Sequence, residues 1–232
     1  MKNILIIGAG KGIGLKTAAA LRHEHVFTMS RHLTEELAAL NTTFFEGDAF
    51  TDTLDILDDL PETLHGLVYC PGSINLKPFN RLKEEDFLND FNQNVLGAVK
   101  VIQKVLPNLK RANGASIVLF STVAVKTGMP FHASIAVSKA GIEGLTKSLA
   151  AEFSAHQIRV NAIAPSLTDT PLAAHLLNTV EKREASAKRH PLNTIGNPDD
   201  IAALVSFLTG EQSAFITGQI IGVDGGLGSL KV

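Results

Sequence analysis

The sequence predicts a single α/β domain over residues 1–232, built as one doubly wound, Rossmann-like parallel sheet with helices on both faces. Three observations carry that expectation. A strand, a glycine-rich turn and a helix follow one another directly at the start of the chain. Short apolar runs then alternate with helix-periodic stretches to its end. The composition, 45% hydrophobic and 19% charged over 232 residues, is enough for one large core. No internal repeat, low-complexity run or linker divides the chain.

The opening unit is Ile4–Gly14, ILIIGAGKGIG. Ile4–Ile7 reads as a buried strand, glycines follow at 8, 10, 12 and 14, and Leu15–Leu21 reads as a helix. In that context glycines permit positive φ and close backbone approach, while the new helix N-terminus offers amides to a phosphate. Gly8, Lys11, Gly12, Ile13 and Gly14 are therefore candidate dinucleotide contacts.

The remaining elements follow in turn. His25–Met29 is a second strand and Thr34–Leu40 a short helix; Thr42–Phe45 is a third strand, and Leu54–Leu60 a helix stopped by Pro61. Gly66–Tyr69 is a fourth strand, and Phe87–Leu109 a long helix with Pro107 near its end. Ser116–Phe120 is a fifth strand, Ala133–Ala155 a second long helix, and Ile158–Ile163 a sixth strand. Pro171–His190 is helical and highly charged, Pro198–Leu208 is a further helix, and Gln219–Val223 is the last strand.

Ligands of such sheets lie beyond the carboxyl ends of the strands. Ser30 and Arg31 follow the second strand, where NAD-binding sheets usually place a carboxylate for the ribose hydroxyls. An arginine there suits a 2′-phosphate, with Lys11 within reach of the same group, so NADP(H) is expected ahead of NAD(H); the alternative is two solvated basic residues. Asp48 follows the third strand and Cys70-Pro71-Gly72 the fourth; Ser121 and Thr122 follow the fifth, and Pro165-Ser166 the sixth. Each lies where a bound dinucleotide would run.

A formal net charge of −2 gives no electrostatic case for nucleic acid or an anionic membrane. Cys70 is the only cysteine, which suits a reducing cytoplasm. No secretory signal or membrane span is read in the chain, and a soluble cytoplasmic protein is expected. His23-Glu24-His25 has metal-ligand residue types without distant partners, and reads as a solvated turn; no metal is expected. Lys182, Arg183, Lys188 and Arg189, interspersed with Glu181 and Glu184, read as a solvated helix face.

Several motifs occur together in order: Gly8-x-x-x-Gly12-x-Gly14, Asn94 in a long helix, Ser138-Lys139-Ala140-Gly141, Arg159-Val160-Asn161-Ala162-Ile163-Ala164-Pro165, and Ile216-Thr217-Gly218-Gln219 followed by Val223-Asp224-Gly225-Gly226. As a set, covering essentially the whole chain, they resemble the short-chain dehydrogenase/reductase family, closest to its acyl-carrier-protein-reductase-like members. The resemblance implies seven strands in the order 3-2-1-4-5-6-7 and a nicotinamide cofactor across their carboxyl ends. It implies that Lys139 holds the nicotinamide ribose, that Asp48 and Ala49 border the adenine, and that Thr168 and Thr170 meet the carboxamide. Asn94 would hold a water leading to Lys139, and residues 171–190 would form a substrate lid.

The chain departs from the family at the position of its catalytic tyrosine, four residues before Lys139, where Ile135 stands. The family's serine thirteen residues earlier is Thr122, which keeps a hydroxyl. Tyr69, the only tyrosine, falls near the adenine side, and Ser166 stands where the family usually has glycine. His132, seven residues before Lys139, shares its helix face if the helix is already wound there, and enoyl reductases of the family have their tyrosine at that spacing. An imidazole can donate a proton near neutral pH, so His132 reads either as a substitute acid or as an ordinary packing histidine. Ser134 and Ser138 read as helix capping and cofactor contacts.

The expected function is an NADP(H)-dependent oxidoreductase acting on a carbonyl, or an activated double bond, of a small or acyl substrate, with Asn94, Thr122, Lys139 and His132 as its catalytic set. The alternative is a cofactor-binding protein without turnover, in a sensing or assembly role. Small residues Ala136, Ala140, Gly144 and Ala151 on the second long helix, with the family's use of the two long helices, lead to an expected homotetramer or homodimer.

Overall fold

A computed structural model describes residues 1–231. Seven strands form one parallel sheet in the order β3-β2-β1-β4-β5-β6-β7. They are β1 (Asn3–Ile7), β2 (His25–Ser30), β3 (Thr43–Glu46), β4 (Gly66–Tyr69), β5 (Ala115–Phe120), β6 (Ile158–Pro165) and β7 (Ile220–Val223). The helices are α1 (Gly12–Ala20), α2 (Glu35–Ala38), α3 (Glu84–Phe91), α4 (Gly97–Arg111), α5 (Val123–Thr127), α6 (Ala133–Phe153), α7 (Val180–Ala187) and α8 (Pro198–Thr209).

A strand covered on both faces must be apolar at every position, because successive side chains point to opposite sides. β1 illustrates this: Leu5 and Ile7 enter one core with Leu67, Ile117, Val101 and Ile142, whereas Ile4 and Ile6 enter the other with Val118, Ala18 and Val205. The first core lies under α4 and α6 and the second under α1 and α8, so the sheet is sealed on both sides. No helix among the described residues is long and apolar enough to cross a membrane.

Three expected elements need correction, and one helix was not expected. Leu54–Leu60 is no α-helix but a 3-10 segment, Asp55–Asp59, entered through Leu54 at φ 69° and left before Pro61. The stretch expected as one helix over Phe87–Leu109 runs as α3 and α4 joined by a π-turn at Asn92–Leu96. Its cause is competition for helix carbonyls: Asn94 Nδ2 (2.7 Å) and Ser138 Oγ (2.8 Å) both donate to the Asp90 carbonyl, and the Tyr69 hydroxyl donates to that of Gln93 (2.8 Å). Side chains thus take acceptors that backbone amides would otherwise use. Residues 171–190 are not one helix but a 3-10 turn, Pro171–Leu176, then α7, which Thr179 starts by accepting from the Lys182 amide (3.3 Å). His190 lies in the turn beyond. Finally, α5 was absent from the periodicity; Thr122 caps it, accepting from the Ala124 amide at 3.3 Å.

Candidate active site

A groove crosses the carboxyl ends of the strands. At its β1–β3 end a cavity of about 570 Å³ is lined by Gly8, Lys11, Gly12, Ile13 and Gly14 of the first turn. Gly8 sits at φ +80° and Gly12 at φ +59°, and a Cβ on Gly14 would collide with the Gly8 carbonyl. That turn therefore requires glycine, and α1 begins within it, so its unpaired first-turn amides face the groove. Ser30, Arg31, Asp48 and Ala49 line the same cavity. The Ser30 hydroxyl donates to the His32 carbonyl (2.9 Å), and Asp48 accepts from the Phe50 amide (2.9 Å). Exposed Arg31 has no hydrogen-bond or ion-pair partner among the described residues, leaving its guanidinium available to a ligand in this cavity.

Cys70, Pro71 and Gly72 carry the groove past β4 into a second chamber of about 330 Å³, which shares Ile13, Cys70, Gly72 and Thr170 with the first. Desolvation pushes the Cys70 thiol up to about 12, so it is no nucleophile here. Tyr69 is buried with its hydroxyl committed to Gln93, and desolvation raises its phenol further from neutrality. It has no proton to offer the second chamber.

Lys139 is the charged centre of that chamber. Its ammonium is buried, donates to the Phe120 carbonyl at 2.9 Å, and is pushed down to about 8 by desolvation, against which Asp90 and Cys70 act. Asn94 lies behind Gly72: a Cβ on Gly72 would come 3.5 Å from Asn94 Oδ1 and 3.6 Å from Lys139 Nζ. Asn94 Oδ1 is buried without a hydrogen-bond partner, and a buried orphan acceptor beside an ammonium is a place for a bridging water. The unpaired oxygen and the glycine cradle together fit a dinucleotide with a ribose hydroxyl over Lys139. Pro165, Thr168 and Thr170 line the chamber on the β6 side, Thr168 donating to the Ser166 carbonyl (3.0 Å) and Thr170 to that of Thr168 (3.4 Å). Thr122 Oγ1 lies 3.5 Å from the Pro165 carbonyl.

Ile135, 5% exposed, faces the same chamber. His132 also lines it, just outside the start of α6, with Nδ1 2.7 Å from the Pro130 carbonyl. Two serine expectations are corrected. Ser138 is no cofactor contact: its buried hydroxyl ties α6 to α3 through Asp90. Ser134 is no cap, because its buried hydroxyl has no partner. Lys182, Arg183, Lys188 and Arg189 are all exposed, as expected of a solvated face. Arg183 grips Asp169 through both terminal nitrogens (2.6 and 2.7 Å), and Arg189 turns into the chamber beside Met129.

Sequence reasoning missed one pair altogether. His190, 4% exposed, places Nε2 2.8 Å from Ser166 Oγ and Nδ1 2.9 Å from the Ser186 carbonyl, with both side chains on the chamber wall. Only Ser166 carried a sequence signal, as a departure from glycine; nothing in the spacing points from 166 to 190. Collectively the chamber offers a hydroxyl to polarise a carbonyl, a buried cation, and two imidazoles able to carry protons.

A family model described as enoyl-(acyl carrier protein) reductase matches residues 8–228. The 3-oxoacyl-(acyl-carrier-protein) reductase of Thermotoga maritima is 33% identical over an alignment covering 97% of this chain and 97% of that protein. Among solved structures, Cj0485 dehydrogenase superposes with a TM-score of 0.91 at 26% identity, covering 99% of this chain and 95% of that one. ElxO with NADP bound superposes with a TM-score of 0.89 at 28% identity, covering 99% of this chain and 100% of that one.

Proposed function

The chain belongs to the short-chain dehydrogenase/reductase family of oxidoreductases, and on that premise we propose that it reduces a carbonyl, or an activated double bond, of a small or acyl substrate with NADP(H). The observation that carries this reading is the continuity of the groove, from unpartnered Arg31 at one end to Thr122 and buried Lys139 at the other. The 3-oxoacyl-(acyl-carrier-protein) reductase activity named for the Thermotoga relative suits the mostly apolar wall formed by Ile74, Leu76, Met129, Leu172 and Leu176.

A nicotinamide, when bound, supplies the hydride. The chain does the rest. The glycine turn and the α1 amides hold the pyrophosphate, and Arg31 with Lys11 takes the 2′-phosphate. Lys139 orients the nicotinamide ribose, and Thr122 donates to the substrate oxygen as charge builds on it. Residues 171–190 cover the chamber as a lid and exclude water, tied down by Arg183 on Asp169. Ile135 stands where the family's tyrosine would be and has no proton to give, so another group must supply it. The same isoleucine favours a second reading, a cofactor-binding protein without turnover. We further propose association through α4 and α6 into a dimer or tetramer, where Leu96 and Val137 are exposed.

The test is a fluorescence titration with NADPH and NADH, followed by an assay of 3-oxoacyl thioesters, simple ketones and enoyl thioesters. NADPH is expected to bind at least about tenfold more tightly, from a charge-assisted contact of about 1.5–3 kcal/mol. Tight NADPH binding without turnover of any such substrate establishes the second reading. Equal or tighter NADH binding removes the assignment of Arg31.

A further inference from the structure

Ser166 and His190 are arranged as a proton relay at the substrate chamber. The Ser186 carbonyl accepts only, so the imidazole nitrogen 2.9 Å from it, Nδ1, must carry hydrogen. In the neutral ring Nε2 is then a bare lone pair, and it receives the Ser166 hydroxyl at 2.8 Å. In the charged ring Nε2–H donates to Ser166 Oγ instead, and the serine hydrogen is released toward the chamber. Backbone bonds pin the serine: its amide donates to the Val223 carbonyl (3.3 Å), and its carbonyl accepts from Thr168. The imidazole is pinned as firmly, with its amide on the Ala187 carbonyl (3.0 Å) and its side chain against Gly225. Only the hydroxyl is left to turn. Thr122 reaches the carbonyl of Pro165, the residue before Ser166, and Thr122 and Ser166 line the same chamber.

We propose that Ser166, backed by His190, exchanges the proton of the substrate oxygen in this chamber, taking the role that Ile135 cannot fill. The proposal rests on the oxidoreductase reading above. In the reducing direction, the carbonyl carbon gains a hydride from a reduced nicotinamide dinucleotide and the C=O π pair moves onto oxygen. That oxygen bonds to the Ser166 proton as the serine O–H breaks. Ser166 Oγ takes the Nε2 proton of the His190 imidazolium, leaving an alcohol, an intact serine and a neutral imidazole that water recharges. Oxidation of the alcohol runs the same transfers backwards, starting from neutral His190. Reduction therefore needs His190 charged and falls as pH rises, whereas oxidation needs it neutral and falls as pH drops. The charged and titratable groups around the ring are Lys139, Arg189 and His132 on the same chamber, Lys188 beside it in sequence, the Arg183–Asp169 pair on the lid, and Asp224, whose carboxylate is already held by the amides of Gly226 (2.9 Å) and Gly228 (3.0 Å).

The test joins nitrogen NMR of the free protein to kinetics. The neutral His190 ring is expected as the Nδ1–H tautomer, with the second proton of the charged ring on Nε2. Ser166→Ala and His190→Ala are each expected to lower ketone reduction by about 10²-fold and remove its pH limb, with NADPH affinity unchanged. Ser166→Thr, which keeps the hydroxyl, and added imidazole with His190→Ala are expected to recover rate; a merely structural pair would not respond to imidazole. An Nε2–H tautomer in the neutral ring, or Ser166→Ala with native rate and native pH limb, overturns the relay while leaving the oxidoreductase reading intact. Loss of the pH limb in His132→Ala, with the limb kept in Ser166→Ala, does the same in favour of His132. A native protein that binds no NADPH or reduces no ketone fails the oxidoreductase reading, and the relay falls with it.

Discussion

At the β1–β3 end of the groove the ligand surface is mainly backbone: a glycine turn, the first amides of α1 and the ends of two strands, with Arg31 as the added charge. At the β5–β7 end it is side chains, and these come from α5, α6, the strand-end loop after β6 and the turn after α7. The glycine turn and the α1 amides of the first end are encoded within a single strand–turn–helix unit, so their requirements are local. The second is assembled from segments far apart in sequence, each of which can change while the chamber survives. Ile135, Ser166 and His190 thus come from three separate segments, while the glycine turn is one continuous stretch.

The sharpest way to break the comparison is Gly14→Ala. The added methyl collides with the Gly8 carbonyl, and backbone must move. A loss of about 3 kcal/mol or more in stability is expected, with no measurable NADPH binding by fluorescence titration. Native-like binding would mean that the first end does not depend on backbone approach. Ile135→Tyr introduced together with Ser166→Ala probes the other end: ketone reduction is expected to recover by about 10²-fold, because a phenol four residues before Lys139 replaces the positioned acid that the serine had supplied. No recovery would show that a phenol at 135 does not reach the substrate oxygen.

Arg31→Ala should weaken NADPH by about tenfold or more and leave NADH unaffected, since only a 2′-phosphate distinguishes them. Equal losses for both would place the arginine elsewhere. The smallest expected effect is on stability, in Lys139→Met. Burial depresses Lys139 from 10.5 to about 8, so between these values the unfolded chain binds more protons and native stability rises with pH. The penalty is complete below about 8 and gone above 10.5. Lys139→Met should therefore gain on the order of 1–3 kcal/mol near pH 7, with the advantage fading as pH climbs through that window. Thermal melts at several pH values measure it, and a variant less stable than native at pH 7 would show that the Phe120 bond outweighs desolvation.

What the sequence alone determined is the sheet and its ligand edge. Parallel strands buried on both faces must be contiguous apolar runs, so β1, β4 and β5 were legible as such, and the strand order implied by resemblance is the order observed. The glycine turn was legible because positive φ and close approach leave no other residue. Tertiary structure decided what depends on competition between partners. Asn94, Ser138 and Tyr69 draw carbonyls away from the helix ladder and open a π-turn that no periodicity records. Ser138 and Lys139 are adjacent, yet one locks two helices together and the other faces the groove. Ser166 and His190, 24 residues apart, meet because the turn after α7 folds back over the end of β6. A hydroxyl and an imidazole each have many acceptable partners in a chain, and only packing selects which pair is left facing the chamber.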